Sequence, residues 1–189
     1  MLAEHSIEGK TLKTVDFHKK FKVMGPAVLP VIHVQDQEQT SRNILIAVEC
    51  GAQGVFLINH DFGIQEFLPI VELCRQIYPS LWLGINFLGV TGRDAFPILG
   101  SLEKQGLPID AYWADDARIN EMEDVQREAE EIAEIRVASG WSGLYFGGTA
   151  FKKQRAVDPA NYIAAATQAV QWMDVVTTSG VSTGQPANL

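Results

Sequence analysis

Six times along this chain a short apolar run is followed by a polar or glycine-containing corner and then by an amphipathic helical pattern. The runs occupy residues 28–34, 54–59, 81–88, 111–116, 143–151 and 174–179. Strand and helix signals that alternate in this way predict an α/β fold, with parallel strands joined by crossover helices. The polar residues fall at the ends of the runs: His33, then Asn59, His60 and Asp61, then Asn86, Asp115 with Asp116, Lys152, and Thr178 with Ser179. In a parallel barrel every strand C-terminus faces one rim, and that rim carries the active site. The pattern therefore predicts where a site lies without naming a reaction.

Local chemistry sets the boundaries. Pro30 cannot donate to a ladder, so pairing in the first run starts at Val31. Asp36 with Gln39 three residues on opens a helix, and Ile44, Leu45, Ala47 and Val48 are its expected buried face. Gly51, Gly106 and Gly140 supply stops. Pro69 falls inside the second crossover helix and predicts a kink or a late start. Met122, Val125, Ala129, Ile132 and Ala133 predict one face of another helix, and Asp158 with Pro159 predicts a capped start. Residues 1–25 read as a polar, basic lead-in and 26–189 as one partial barrel domain. A complete eight-unit barrel needs about 250 residues. The expectation is a (β/α)8 TIM-barrel type with six units in this chain, truncated or incomplete, whose open edges favour self-association into a homo-oligomer.

With 47% hydrophobic and 20% charged residues, the chain reads as one globular core. A formal charge of -8 argues against nucleic-acid or anionic-membrane binding. There is no secretory h-region and no run of spanning length, so a cytoplasmic location without membrane insertion is expected. Cys50 and Cys74 fall in helical patterns outside any metal-ligand spacing and are expected as buried free thiols.

Five segments, PVIHV, GVFLINHDF, GINFL, GGTAFK and TTSGVSTGQPANL, resemble the BtpA family in order and spacing, and the last carries its SGxxTGxP loop. The resemblance implies a (β/α)8 barrel with two further strand–helix units after Leu189. The family's namesake is associated with photosystem I biogenesis or stability, and its relatives have no settled reaction. A proline-rich loop common in the family after the first strand is absent here, since Val34 runs almost directly into the helix at Asp36.

The rim residues each admit a functional and a structural role. His33 either reaches the pocket as an acid or base or is a hydrogen-bonded core histidine. Asn59, His60 and Asp61 either serve catalysis, substrate contact or ligation, or cap and bond backbone; Asn59 and Asp61 share one side of the strand and His60 takes the other. Asn86, in an apolar run, contacts substrate or joins a buried network. Asp115 and Asp116 suit a base or a divalent cation, or cap a loop. Lys152 suits a phosphate contact, though Lys153 and Arg155 nearby fit a solvated basic loop. In the loop 177–186, Ser179, Gly180, Ser182, Thr183 and Gly184 fit an anion cradle in which the glycines take positive φ. Nothing specifies a cofactor, and Gly147-Gly148 alone is no dinucleotide signature. Two readings follow. One is an isomerase, aldolase or lyase acting on a small phosphorylated metabolite, with His33, Asp61 and Asp115 as acid/base groups. The other is a non-catalytic binding or assembly factor.

Overall fold

A computed structural model describes residues 12–152, 154–180, 182 and 185–187. Among them one sheet of six strands runs in the order β1-β2-β3-β4-β5-β6, and every neighbouring pair is parallel. The strands are β1 Val31–Val34, β2 Val55–Asn59, β3 Leu83–Phe87, β4 Ala111–Ala114, β5 Leu144–Gly148 and β6 Val175–Thr177. Helices α2 Gln37–Glu49, α3 Ile64–Ile77, α4 Gly92–Lys104, α5 Arg127–Ser139 and α6 Tyr162–Ala169 make the crossovers. Each strand sits beside its sequence neighbour, the winding of a (β/α) barrel, and β1 and β6 form the two edges of the described sheet.

The local signals act as expected where one residue decides. Pairing begins at Val31, the Asp36 carboxylate accepts the Gln39 N–H at 2.7 Å, and Gly51, Gly106 and Gly140 take φ of 84°, 78° and 74° just past their helices. Asp158 accepts from the Ala160 N–H, and a 3₁₀ turn at Pro159–Asn161 precedes α6. Pro69 lies inside α3, in its second turn.

Three expectations change. The helix predicted from Met122 starts at Arg127, and Met122 and Val125 stand exposed in the turn before it. In α2 only Ile44 and Ala47 of the expected face are buried, while Leu45 and Val48 are about half exposed, because this helix covers an edge strand. Cys50 is exposed; only Cys74 is buried, and burial pushes its thiol pKa up to about 11.

The sheet has two unlike faces. Outward, Ile32, Val34, Val55, Leu57, Leu83, Ile85, Phe87, Tyr112 and Tyr145 meet the helices in the main core. Inward, Phe56, Ala111 and Phe146 form a second cluster with Leu29, Trp82, Trp113, Leu144 and Val175. Helix α1, Thr14–Phe21, lies within the lead-in and brings Phe17 against Phe146 and Phe21 against Trp82. Aromatic side chains thus fill the inner face toward the strand N-termini. Among the described residues no helix is long and apolar enough to cross a membrane.

Candidate functional site

Strand alternation decides which tip residues face inward. In β1 Ile32 and Val34 are buried and Val31 and His33 are exposed, so His33 stands on the inner face. It is paired in register with Ile58, and His60 lies two residues beyond Ile58 on the same side. The two imidazoles stack, with centroids 4.5 Å apart and planes inclined by 22°. The His33 pKa is lowered from its ordinary value by burial first, then by the His60 and Lys152 charges, with Asp61 opposing. Four groups from β1, the loop after β2 and the loop after β5 therefore share one electrostatic neighbourhood, in which burial, His60 and Lys152 favour the neutral imidazole of His33 and Asp61 opposes them.

The other tips take distinct places. The Asn59 amide donates to the Phe62 carbonyl at 2.8 Å and accepts from the Leu88 N–H at 3.0 Å. Both its ends are held by backbone, and it ties the β2 loop to the end of β3. Asn86, 1% exposed, donates from Nδ2 to Asp115 Oδ1 at 2.9 Å, and its own Oδ1 has no partner among the described residues. The adjacent carboxylates diverge: Asp115 is buried against Asn86, whereas Asp116 accepts from the Arg118 backbone and guanidinium, and Arg118 reaches on to Glu128. A Cβ on Gly148 would sit 2.0 Å from the Asp115 carbonyl oxygen, so β5 approaches the end of β4 this closely only because that residue is glycine.

The loops after β5 and β6 are stapled together. Ser179 Oγ accepts the Lys152 N–H at 3.0 Å, and Thr178 Oγ1 donates to the Ala150 carbonyl at 3.3 Å. Ala150 takes φ 51°, the left-handed region, at this junction. Gly180 does not have positive φ; it is needed because a Cβ there would meet the Gln185 and Pro186 carbonyls at 2.1 and 2.6 Å. The Ser182 carbonyl accepts from Gln185 N–H, and Thr183 and Gly184 lie outside the described residues. A 210 Å³ cavity beside the staple is lined by Lys152, Gln154, Arg155, Tyr162, Ser179 and Gly180. Arg155 is not a free basic group, since it pairs with Glu121 and holds that carboxyl below its ordinary range.

A cavity of 400 Å³ lies at the opposite end, between Lys20, Gln53, Arg75, Trp82 and Asp110. Arg75 there is committed to Asp110 and to the carbonyls of Pro79 and Leu81. Although larger, it has the chemistry of a strut. As to a divalent cation, no three His, Cys, Asp or Glu side chains among the described residues come together as a ligand set.

Neither a family model nor a curated protein matches the chain. Solved structures do match. An enolase-superfamily member from Listeria innocua Clip11262 aligns with TM-score 0.51 and 12% identity, over 91% of this chain and 40% of its own. An unknown member of the same superfamily from Enterococcus faecalis V583 gives TM-score 0.48 and 17% identity, over 86% and 46%. A mandelate racemase/muconate lactonizing protein from Herpetosiphon aurantiacus gives 0.46 and 12%, over 80% and 54%. The chain thus spans 40–54% of the length of these structures. At such identity the likeness shows the fold alone, a (β/α) barrel type. The resemblance to the BtpA family is overturned: no family model and no curated protein matches, and the Listeria innocua structure that aligns above TM-score 0.5 is an enolase-superfamily member. The matching segments are mostly short apolar strands with polar tips, a layout common to many barrels.

In the sequence His60 stands as one of three candidates with Asn59 and Asp61, and Gly148 only as half of a glycine pair that is no dinucleotide signature. Parity already put His60 opposite Asn59, but its meeting with His33 depends on the β1–β2 register. The Gly148 requirement depends on the approach of β4.

Proposed function

We propose that the chain binds a small phosphorylated metabolite at the rim formed by the strand C-termini and moves a proton on it, in isomerase- or lyase-type chemistry. The observation that carries this reading is the His33–His60 stack beside Lys152. A neutral imidazole can accept a proton at pH 7, and a neighbouring ammonium stabilises the negative charge that the substrate then develops. In an isomerisation His33 would take the proton from a hydroxyl-bearing carbon next to a carbonyl, and the electron pair of the broken C–H bond forms the enediolate as the carbonyl pair passes to oxygen. The hydroxyl proton passes to that oxygen, and His33 returns its proton to the former carbonyl carbon as the other oxygen becomes the new carbonyl. Lys152 and the Ser179–Gly180 segment supply the anion contact. Asp61 faces the pair as a counter-charge, and Asp115 stands across the rim.

Deuterium wash-in tests the reading. The chain is incubated in D2O with a panel of phosphorylated hydroxyketones and aldehydes, followed by mass spectrometry. Incorporation that disappears in His33→Gln and falls in Lys152→Met is the expected result. Binding by thermal shift with no incorporation would move the protein to the second reading, a non-catalytic binder. That reading draws support from the exposed apolar side chains Leu45, Ile46 and Val48 on α2.

A further inference from the structure

Among the described residues the inner face carries buried polar atoms without a partner, both donors such as Trp113 Nε1 and an amide acceptor at the strand C-termini. Asn86 lies between Ile85 and Phe87, which point into the outer core, so its amide points inward. One N–H of its Nδ2 goes to Asp115, which fixes the amide orientation, because the reverse orientation would set carbonyl oxygen against carboxylate. Among the described residues that leaves Asn86 Oδ1 buried with no partner, and Asp115 accepts one side-chain hydrogen bond, the one from Asn86. Thr177 Oγ1, on the same face of β6, also lacks a partner among the described residues, and as a hydroxyl it can donate or accept. Buried polar atoms are almost always satisfied, and exceptions concentrate where a ligand or reacting group supplies the missing bond. Since a carboxylate and a carbonyl accept only, the group that completes them is a donor. It is not the anionic end of a ligand, which Asp115 would repel.

Register fixes the spacing. His33 is paired with Ile58 and Ile58 with Asn86, so the base and the amide stand two strands apart, about 10 Å between backbones. Asp115 follows β4, and Lys152 and Ser179 follow the neighbouring β5 and β6, so a short ligand held by its anion at the Lys152–Ser179 side would place its other end over Asp115.

We propose that Asp115 and Asn86 form a hydroxyl-recognising subsite, so that the ligand class is a hydroxylated phosphate. This rests on the anion reading above. Asp115 accepts from the ligand hydroxyl. Asn86 is a positioning residue that holds the carboxylate through Nδ2, while Gly148 admits β5 close enough to lock the Asp115 backbone.

The experiment compares glycerol phosphate, propyl phosphate and aminopropyl phosphate by calorimetry on the unmodified chain. Glycerol phosphate is expected to bind about tenfold more tightly than propyl phosphate, the effect of one satisfied buried acceptor. Asp115→Asn should shrink that ratio several-fold by weakening glycerol phosphate relative to propyl phosphate, and Asn86→Ala should shrink it partly. A merely structural role would weaken both ligands together. Because the comparison is first made on the unmodified chain, it stands even if a variant fails to fold. Equal binding of glycerol and propyl phosphates overturns the hydroxyl subsite and leaves the anion reading standing. Tighter binding of aminopropyl phosphate than of glycerol phosphate also overturns it, by showing an ammonium site. If none of the three binds, both readings fall.

Discussion

Toward the strand N-termini, the inner face of the sheet is aromatic. Phe56 meets Trp82, Trp113 and Phe146 edge to face at 5.4, 5.6 and 5.2 Å, and α1 adds Phe17 and Phe21 from below. Toward the strand C-termini the same face carries His33, Asn86, Asp115 and Thr177, with Asn86 Oδ1 and Thr177 Oγ1 unpartnered among the described residues and an exposed imidazole pair. Both halves belong to the same strands and the same pleat. The aromatic half gains from burial and ring contacts, which stabilise the fold. The polar half stabilises little and holds chemical groups in place. This division is the one expected of a barrel-type sheet, in which stability and reactivity sit at opposite ends.

The comparison breaks most readily at its aromatic end. Phe56 is 3% exposed and touches three other rings. Phe56→Ala should cost about 3–5 kcal/mol in denaturant melts. A loss no greater than that of a surface substitution would show that this half is not a core.

Next in size is Gly148→Ala at the rim. The new Cβ must displace the Asp115 backbone carbonyl, which lies 2.0 Å from its position, and overpacking of this kind costs about 1–3 kcal/mol. It should also weaken ligand binding by moving Asp115, whereas Phe56→Ala, measured well below its melting point, should not. If the two variants affect binding alike, the halves are not separate in function.

What was legible in the sequence follows the range of each interaction. The Asp36 cap, the three glycine stops and the start at Val31 depend on residues a few positions apart, and they could be read directly. The rim itself was legible because strand ends are marked by polarity. The choice between Asp115 and Asp116 was not, because it turns on Asn86, 29 residues away, and on Arg118. The backbone staple made by Asn59 to Leu88 likewise spans 29 residues. The misplaced start of α5 has a different cause. Met122 and Val125 continue the helical period, but Gln126 bonds the Asn120 N–H and carbonyl and the Glu123 carbonyl, which fixes a turn there instead. Periodicity carries no information on such a local competitor.

A smaller effect sharpens the polar half. Asp115 is a buried carboxylate with a single side-chain donor. Asp115→Asn removes a desolvated charge and nearly preserves shape, so stability should stay level or rise by less than about 1 kcal/mol. A loss comparable to that of Phe56→Ala would make Asp115 a structural residue and end the contrast.

The smallest effect is the pH dependence of His33. Its folded pKa lies below the ordinary 6.5, chiefly through burial and then through the His60 and Lys152 charges. Between that lowered value and 6.5 the unfolded chain holds more protons than the folded one, so stability rises with pH across this window and is flat in this respect above it. Acidification through the window charges His33 beside Lys152 and loses that increment. The ring is largely exposed, so solvent screening limits the increment to the order of a few tenths of a kcal/mol. NMR reads it more directly than melts do. The His33 ring should titrate below 6.5; Lys152→Met should move its midpoint up and Asp61→Asn should move it down. A midpoint at or above the ordinary value, or one insensitive to Lys152, would mean that the rim groups do not share a field, and the polar half would then be a set of separate side chains instead of a site.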